Sequence, residues 1–280
     1  MGAWTGVVLA LAEAEYGGLR SRLSTYLHPL AGRPLAWHVV RCLADLEPGP
    51  SRIVVASGPD LSPDLFADIP ATIEVVLPHE QSLGTILAQA AHAGRVVAVD
   101  AAAPTAGNCL QRLLGNEGDA LLVGEGGEVV AASLGEEAAM LLLRRGGDLS
   151  ALAATLPAAH RVSDRDGFVV RSRAGLSRAA SAVRDGVVRK LMEGGVTFLL
   201  PETVLVDVDV QIGRDTVIYP GCVLEAGTTI GDETVVGPCC RLVAARVGSG
   251  VELKGFNYVS HTSIRNRAIL EPHVKRGFDD

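Results

Sequence analysis

Aromatic residues are scarce. They make up 4% of the 280 residues, so the interior has to be built from Ala, Val, Leu and Ile, which suits sheets and stacked coils better than an aromatic-rich sandwich. No apolar run approaches ~18 residues, so no transmembrane helix is expected. The 32 glycines and 14 prolines are too few and too aperiodic for collagen or a linker array. Basic residues are in deficit: the net charge is −7 and the pI about 5.5. A general nucleic-acid binder is thereby disfavoured, although a local phosphate site is not. The five cysteines, Cys42, Cys109, Cys222, Cys239 and Cys240, are odd in number and contain no CxxC pair. Reduced thiols in a cytoplasmic protein are the expectation. The first residues lack a basic n-region and a cleavage site, so Val7–Leu11 reads as a buried strand and not as part of a signal peptide.

Apolar residues reach 48%, charged residues 20%, and the mean hydropathy is +0.28, a globular composition. The length suffices for one large domain or two modest ones, without disulfide or metal staples.

The strongest pattern is an internal repeat near the C-terminus. Aliphatic side chains recur at every sixth position: Val206, Ile212, Ile218, Leu224, Ile230, Val236 and Leu242. Four residues after most of them stands a small one: Thr216, Cys222, Thr228, Thr234 and Cys240. After Leu242 the steps become five or six, through Val247, Leu253, Val259 and Ile264. A period of six fits neither a helix nor a simple strand. It fits a solenoid with one hexad per flat face, its aliphatic residues pointing inward in ladders. Glycine and small residues permit tight corners, some of which need positive φ.

The N-terminal two-thirds reads as α/β. Strand-like runs at Thr5–Leu11, Arg52–Ala56, Ile73–Leu77, Val96–Val99 and Ala120–Val123 alternate with helix-like segments at Leu35–Leu46, Thr85–His92 and Asn108–Leu114. This alternation implies a mostly parallel sheet with crossover helices. A further helix, Ser177–Met192, runs into Gly194-Gly195, a natural stop. The expected organisation is an α/β domain over 1–176, a linking helix over 177–197 and a solenoid over 198–280.

Four segments carry a family resemblance. His28-Pro29-Leu30-Ala31-Gly32-Arg33-Pro34 resembles the HPLAGRP segment of sugar-1-phosphate nucleotidyltransferases, and among them most closely the bifunctional uridylyltransferase/acetyltransferase family GlmU. Leu83-Gly84-Thr85 resembles its LGT uridine-loop element. Leu191–Thr197 and Asp207–Gly221 resemble its domain-joining segment and the opening of its β-helix. The resemblance implies a Rossmann-like nucleotidyltransferase domain followed by a short left-handed parallel β-helix. It also implies a homotrimer through the β-helix, which would hide side chains such as Tyr219 and Cys222.

The resemblance also names the positions to inspect for chemistry. Nucleotidyl transfer needs a glycine turn that brings backbone N–H groups to the phosphates, and cations to hold the transferring charge. Alignment from His28 places the family's two turn glycines on Ala14 and Tyr16, its arginine on Gly18 and its lysine on Thr25. Glu13 and Glu15 add negative charge where a triphosphate would sit. Arg20 and Arg22 are candidate replacement cations, or solvated surface residues.

The family's Mg²⁺-holding aspartate falls on Ala102 and its second ligand, an asparagine, on Arg171. Asp100 stands two residues earlier, about 6–7 Å away along an extended strand, and would serve only after a loop shift. The base-reading glutamine falls on His79, with Gln81 two residues on. Leu83, Gly84 and Thr85 read equally as a uridine-site remnant or as a helix N-terminus capped by Thr.

The acetyltransferase half is equally depleted. In one register the chain stops before its residues. In the other, Lys254 and Tyr258 are retained, Gly255 and Gly277 stand for the catalytic His and Asn, and His261 is the nearby substitute base. No zinc spacing, GxSxG elbow or HExxH motif is present.

The expectation is a homologue with no intact catalytic set and no cofactor, keeping the fold and a weak site for a uridine nucleotide or nucleotide sugar. The alternatives are an active uridylyltransferase that uses Arg20, Arg22 and Asp100 with Mg²⁺, and acyl transfer at the β-helix. Nucleic acid and membrane are not expected partners.

Overall fold

The computed structural model describes residues 3–10, 18–77, 85, 88–90, 92, 94–104, 107–164 and 167–277. By its contacts the chain divides into two compact units. One comprises Met1–His28 and Pro34–Ala179, the other Pro29–Arg33 and Ala180–Asp280.

The first unit is built on a seven-stranded sheet. Its strands are β1 (Trp4–Ala10), β2 (Arg52–Ser57), β3 (Ile73–Val76), β4 (Arg95–Asp100), β5 (Ala120–Val123), β6 (Val129–Leu134) and β7 (His160–Ser163). They lie in the order β3-β2-β1-β4-β6-β5-β7. Only β6 runs against its neighbours β4 and β5; β5 and β7 are parallel again. β1 is buried along its whole length between β2 and β4, which explains the apolar run Gly6–Ala10 within it. Helices α1 (Leu35–Ala44), α2 (Gly107–Leu114), α3 (Glu136–Arg144) and α4 (Leu149–Thr155) accompany the sheet. Residues 85, 88–90 and 92 are also helical, within the expected Thr85–His92 segment.

The sequence reading stopped short of β6, β7, α3 and α4. β6 reads Val-Val-Ala-Ala-Ser-Leu and is buried throughout, so it lacks a period-two signal and contains Ala and Ser, poor strand formers. β7 is an edge strand with only Val162 buried.

Helix α5 (Arg173–Glu193) begins in the first unit and ends in the second. It stops as Gly194-Gly195 implies: Gly195 takes φ +99, its N–H donates to Met192 O, and Val196 N–H donates to Leu191 O. This is the paired 6→1 and 5→2 closure of a Schellman motif.

The rest of the second unit is a parallel β-helix. Three sheets of two- and three-residue strands contain five, five and four strands. The hexad residues align as inward ladders: Leu224 pairs with Leu242 and Leu242 with Val259; Ile230 with Val247 and Val247 with Ile264; Ile218 with Val236, Val236 with Leu253 and Leu253 with Leu270. Each buried aliphatic side chain contributes about 1.5–3 kcal/mol. Thr216, Thr228 and Thr234 are fully buried beneath the corners, where their hydroxyls donate to carbonyls of the next coil.

The loosened period has a local cause. The corner after Leu224 uses two positive-φ residues, Ala226 and Gly227, whereas the corners after Leu242 and Val259 use one each, Ala244 and His261. One residue fewer in these corners turns a step of six into a step of five without disturbing the ladders.

One expectation is corrected. Cys222 is not available to an intersubunit surface: it is wholly buried inside the coil, with Sγ 3.2 Å from Gly237 O, and burial pushes its thiol up to about 12. Tyr219 is exposed.

Candidate nucleotide site at the carboxyl end of the sheet

In parallel α/β sheets ligands bind beyond the carboxyl ends of the strands. Here β1 and β4 are adjacent, and Asp100 is the last residue of β4. Of the residues singled out in the sequence, Glu13, Ala14, Glu15, Tyr16, His79, Gln81, Leu83 and Gly84 lie outside the described residues. Gly18, Arg20, Arg22, Thr25, Thr85, Asp100, Ala102 and Arg171 lie within them.

Asp100 is already committed. Its Oδ1 accepts the Ala102 N–H at 2.9 Å, and its Oδ2 accepts from Arg171 Nη2 at 3.2 Å. The first bond is a local Asx-type turn that fixes the residues after the strand. Ala101, Ala102 and Ala103 are buried. Val170 N–H donates to Ala102 O at 2.8 Å, which brings the 168–173 segment against that turn. Arg173 Nε then donates to Leu19 O at 3.0 Å. Three separate stretches of chain, around 18–19, 100–104 and 170–173, are thereby held together.

Gly18 is fitted into this arrangement tightly. A Cβ built there would collide with the Arg171 carbonyl oxygen, and the obstacle is backbone. The position aligned with the family's arginine therefore has no room for any side chain.

The two replacement cations do not converge on Asp100 in any observed bond. Arg20 is exposed with φ +48, and Arg22 is exposed. Thr25, at the family's lysine position, is buried. Thr85 is exposed and itself helical. Beside Thr25, sequence reasoning missed a polar cluster: Tyr26 OH and Ser24 Oγ both donate to Asp60, at 2.8 and 2.7 Å. Burial first, and the Asp60 carboxylate with it, raise the Tyr26 phenol to about 12.

Mg²⁺ does not fit these residues. Both Asp100 oxygens already accept hydrogen bonds, and the Arg171 guanidinium stands at the carboxylate's open side. Among the described residues no group of three His, Cys, Asp or Glu side chains is placed to hold a metal. What the arrangement can do is present Arg171 to an anion, at the expense of its pair with Asp100.

The β-helix alternative meets a geometric obstacle. Gly255 has φ +116 with Pro238 of the preceding coil closely packed against it, and Gly277 has φ +102 against the Ser260 backbone. Neither position accepts a His or Asn side chain. Lys254 is tied to Glu271 at 2.7 Å, Tyr258 lies between Arg241 and Lys275, and His261 is an exposed corner residue with φ +46.

A second site feature was absent from the sequence reading. In the second unit, Arg33 Nε lies 2.8 Å from Asp209 Oδ2 and Val208 N–H donates to Ala31 O at 3.1 Å. Both partners belonged to quoted motifs, but only the fold brings them together.

Comparison with known proteins bears first on the coils. Residues 209–244 match the model of the bacterial transferase hexapeptide (six repeats). The coiled part is a hexapeptide-repeat β-helix. Over 108 residues the chain is 40% identical to a bifunctional protein GlmU of Clostridium botulinum (strain Langeland), covering 39% of this chain and 21% of the relative. It is 38% identical over 108 residues to the GlmU of Caldanaerobacter subterraneus, covering 38% of this chain and 23% of the relative. The matched stretch thus spans only about a fifth to a quarter of the relatives' own length. Among solved structures, a Bacillus anthracis protein provisionally described as a glucose-1-phosphate thymidylyltransferase superposes with a TM-score of 0.48 at 14% identity, covering 65% of this chain and 96% of that chain. So loose a match adds nothing to the reading of the site.

Proposed function

We propose that this protein is a GlmU-like sugar-1-phosphate nucleotidyltransferase homologue that is catalytically silent or strongly impaired. It retains the fold and a weak site for a uridine nucleotide or nucleotide sugar. The observation that carries the reading is the Asp100–Arg171 ion pair. The carboxylate best placed to replace a metal ligand is used internally, and the cation beside it is paired with that carboxylate. Gly18 packed on the Arg171 carbonyl supports the same reading, because the lost arginine cannot be compensated at its own position. Preorganised charge commonly contributes more to such catalysis than any other single effect, and losing one donor costs about 10²–10³ in rate.

The repeat similarity to GlmU supports a homotrimer through the β-helix in a cytoplasmic protein, with Tyr219 on the outer surface. Light scattering tests the assembly: three times 29.1 kDa is expected, and a monomer across micromolar concentrations would contradict it. A thermal melt with UTP and Mg²⁺ tests the nucleotide site. A ligand at 100 times its Kd adds about 2.7 kcal/mol. A small shift at millimolar UTP is expected, and no shift at any concentration would remove the binding half of the proposal.

A further inference from the structure

One corner of the β-helix lacks a side chain where its neighbours carry one. Asp215, Glu233, Gly250 and Arg267 occupy the same corner on successive rungs. The N–H groups of the last three donate to Arg214 O, Asp232 O and Ser249 O of the preceding rung, each at 2.9 Å. All four residues have positive φ, at +58, +54, +65 and +58. Three of them bear side chains in that conformation, so the turn does not demand glycine at position 250. Space does not demand it either: a Cβ on Gly250 would meet only the flexible stem of Arg267, with Cγ at 3.4 Å. The missing side chain opens a notch of about 310 Å³, lined by Glu233, Ser249, Gly250, Asn266 and Arg267.

The lining is chemically lopsided. Glu233 and Arg267 lie on the rungs either side of Gly250, so their Cα atoms are about 10 Å apart at roughly 4.8 Å per rung. Both side chains line the notch, and among the described residues neither has a hydrogen bond or an ion pair. Between them, Asp232 N–H donates to Ser249 Oγ at 3.2 Å, and Ser249 N–H donates to Asn266 Oδ1 at 3.0 Å. With those oxygens used as acceptors, the Ser249 O–H and the Asn266 amide N–H groups are what the two residues have left to offer. The notch therefore has a full negative charge on one side, a full positive charge on the other, and two neutral donors in its lining.

A ligand that satisfies such a lining must carry both signs of charge. An anion alone would be opposed by Glu233, and a cation alone by Arg267. A guanidinium accepts a carboxylate through paired N–H donors, and the Ser249 and Asn266 donors suit the same group. The Glu233 carboxylate suits an ammonium. The volume stands at the small end of ligand sites, too small for a nucleotide sugar. We propose that this notch is a binding site for a free amino acid in its zwitterionic form, its carboxylate on Arg267 and its ammonium on Glu233. All five lining residues belong to the coil, so the site is independent of the nucleotide reading of the first unit.

The test is saturation-transfer magnetic resonance on the full chain with L-alanine. Propanoate and ethylamine, the same skeleton lacking one charge, are the comparisons. Alanine should bind, and each comparison should bind at least about tenfold more weakly, because it forfeits one charge-assisted contact. E233Q and R267Q should each raise the Kd for alanine by about tenfold or more. Both side chains are exposed, so the melting temperature should stay near the wild-type value. G250N places a side chain in the notch, and asparagine tolerates the left-handed region, so this variant should fold and lose binding. R144Q, which removes an exposed arginine of the first unit, should leave Kd unchanged. No alanine binding by the wild type, equal binding of propanoate or ethylamine, wild-type affinity in E233Q, R267Q or G250N, or equal loss in R144Q would each overturn the proposal. If G250N does not fold, E233Q and R267Q decide the matter.

Discussion

Asp100 Oδ2 and Arg171 Nη2 lie 3.2 Å apart, and the other Asp100 oxygen holds the Ala102 N–H. The arginine side chain is 60% exposed and the aspartate 23%. A pair so open to water contributes only about 0–1 kcal/mol to stability. Its importance is local: it keeps the carboxylate occupied. Arg171→Asn should therefore change the melting temperature little while freeing one Asp100 oxygen. Weak Mn²⁺ binding by magnetic resonance is the expected gain, and it should vanish in the Asp100→Ala, Arg171→Asn double variant. Tight Mn²⁺ binding by the wild type would contradict this role for Asp100.

Gly18 offers a sharper structural test. Because a Cβ there meets the Arg171 carbonyl, Gly18→Ala and Gly18→Arg should both destabilise the first unit, by about 1–3 kcal/mol as for other overpacked sites. Urea unfolding measures this. A neutral Gly18→Arg, or one that restores nucleotide binding alone, would show that the loop adopts another arrangement.

In the coils, inward and outward neighbours should behave oppositely. Ile218 is fully buried, so Ile218→Ala should cost about 2–5 kcal/mol. Val217, the preceding residue, points outward, and its replacement by Thr should stay within about 0.5 kcal/mol. Equal effects would mean that the ladder assignment is wrong by one residue.

The thiols should separate by burial. Cys239 is exposed, whereas Cys109, Cys222 and Cys240 are buried, and burial raises the thiols of Cys222 and Cys240. With Ellman's reagent under native conditions Cys239 should react first, and Cys222 and Cys240 only on unfolding. Rapid modification of Cys222 in the folded protein would contradict its inward placement.

Tyr26 predicts an alkaline dependence. Burial raises its phenol to about 12, so the folded state prefers the neutral form. Its stabilising contribution is complete below the ordinary phenol value of about 10 and is lost as pH rises toward 12. Unfolding free energies measured from pH 9 upward should fall, and Tyr26→Phe should flatten that fall. An unchanged slope in Tyr26→Phe would assign the alkaline loss to other groups.

The coils were legible in the sequence because one rule, an inward aliphatic every sixth residue, governs each of them, as in Ile218, Leu224 and Ile230. The irregular steps after Leu242 were legible as a loosened period, and the structure supplies their cause, a corner with one positive-φ residue in place of two. β1, β2, β4 and β5 were legible as apolar runs, whereas β6 was hidden by its Ala-Ala-Ser centre and β7 by its polar edge. The candidate site was legible position by position, in that Asp100, Ala102, Gly18 and Arg171 were each singled out. Their relationships were not, because Asp100 and Arg171 are 71 residues apart and meet only through the register of the 170–173 segment on the turn after β4. The Arg33–Asp209 pair, 176 residues apart, was invisible for the same reason.

The central claim is that phosphoryl transfer has been lost or nearly lost. Pyrophosphate release from UTP, N-acetylglucosamine 1-phosphate and Mg²⁺ measures it directly. Ordinary enzymes turn over at about 1–10³ s⁻¹. The expected result is a rate below about a thousandth of that range, unchanged in Asp100→Ala. Robust turnover that disappears in Asp100→Ala would contradict the claim and make Asp100 a working ligand.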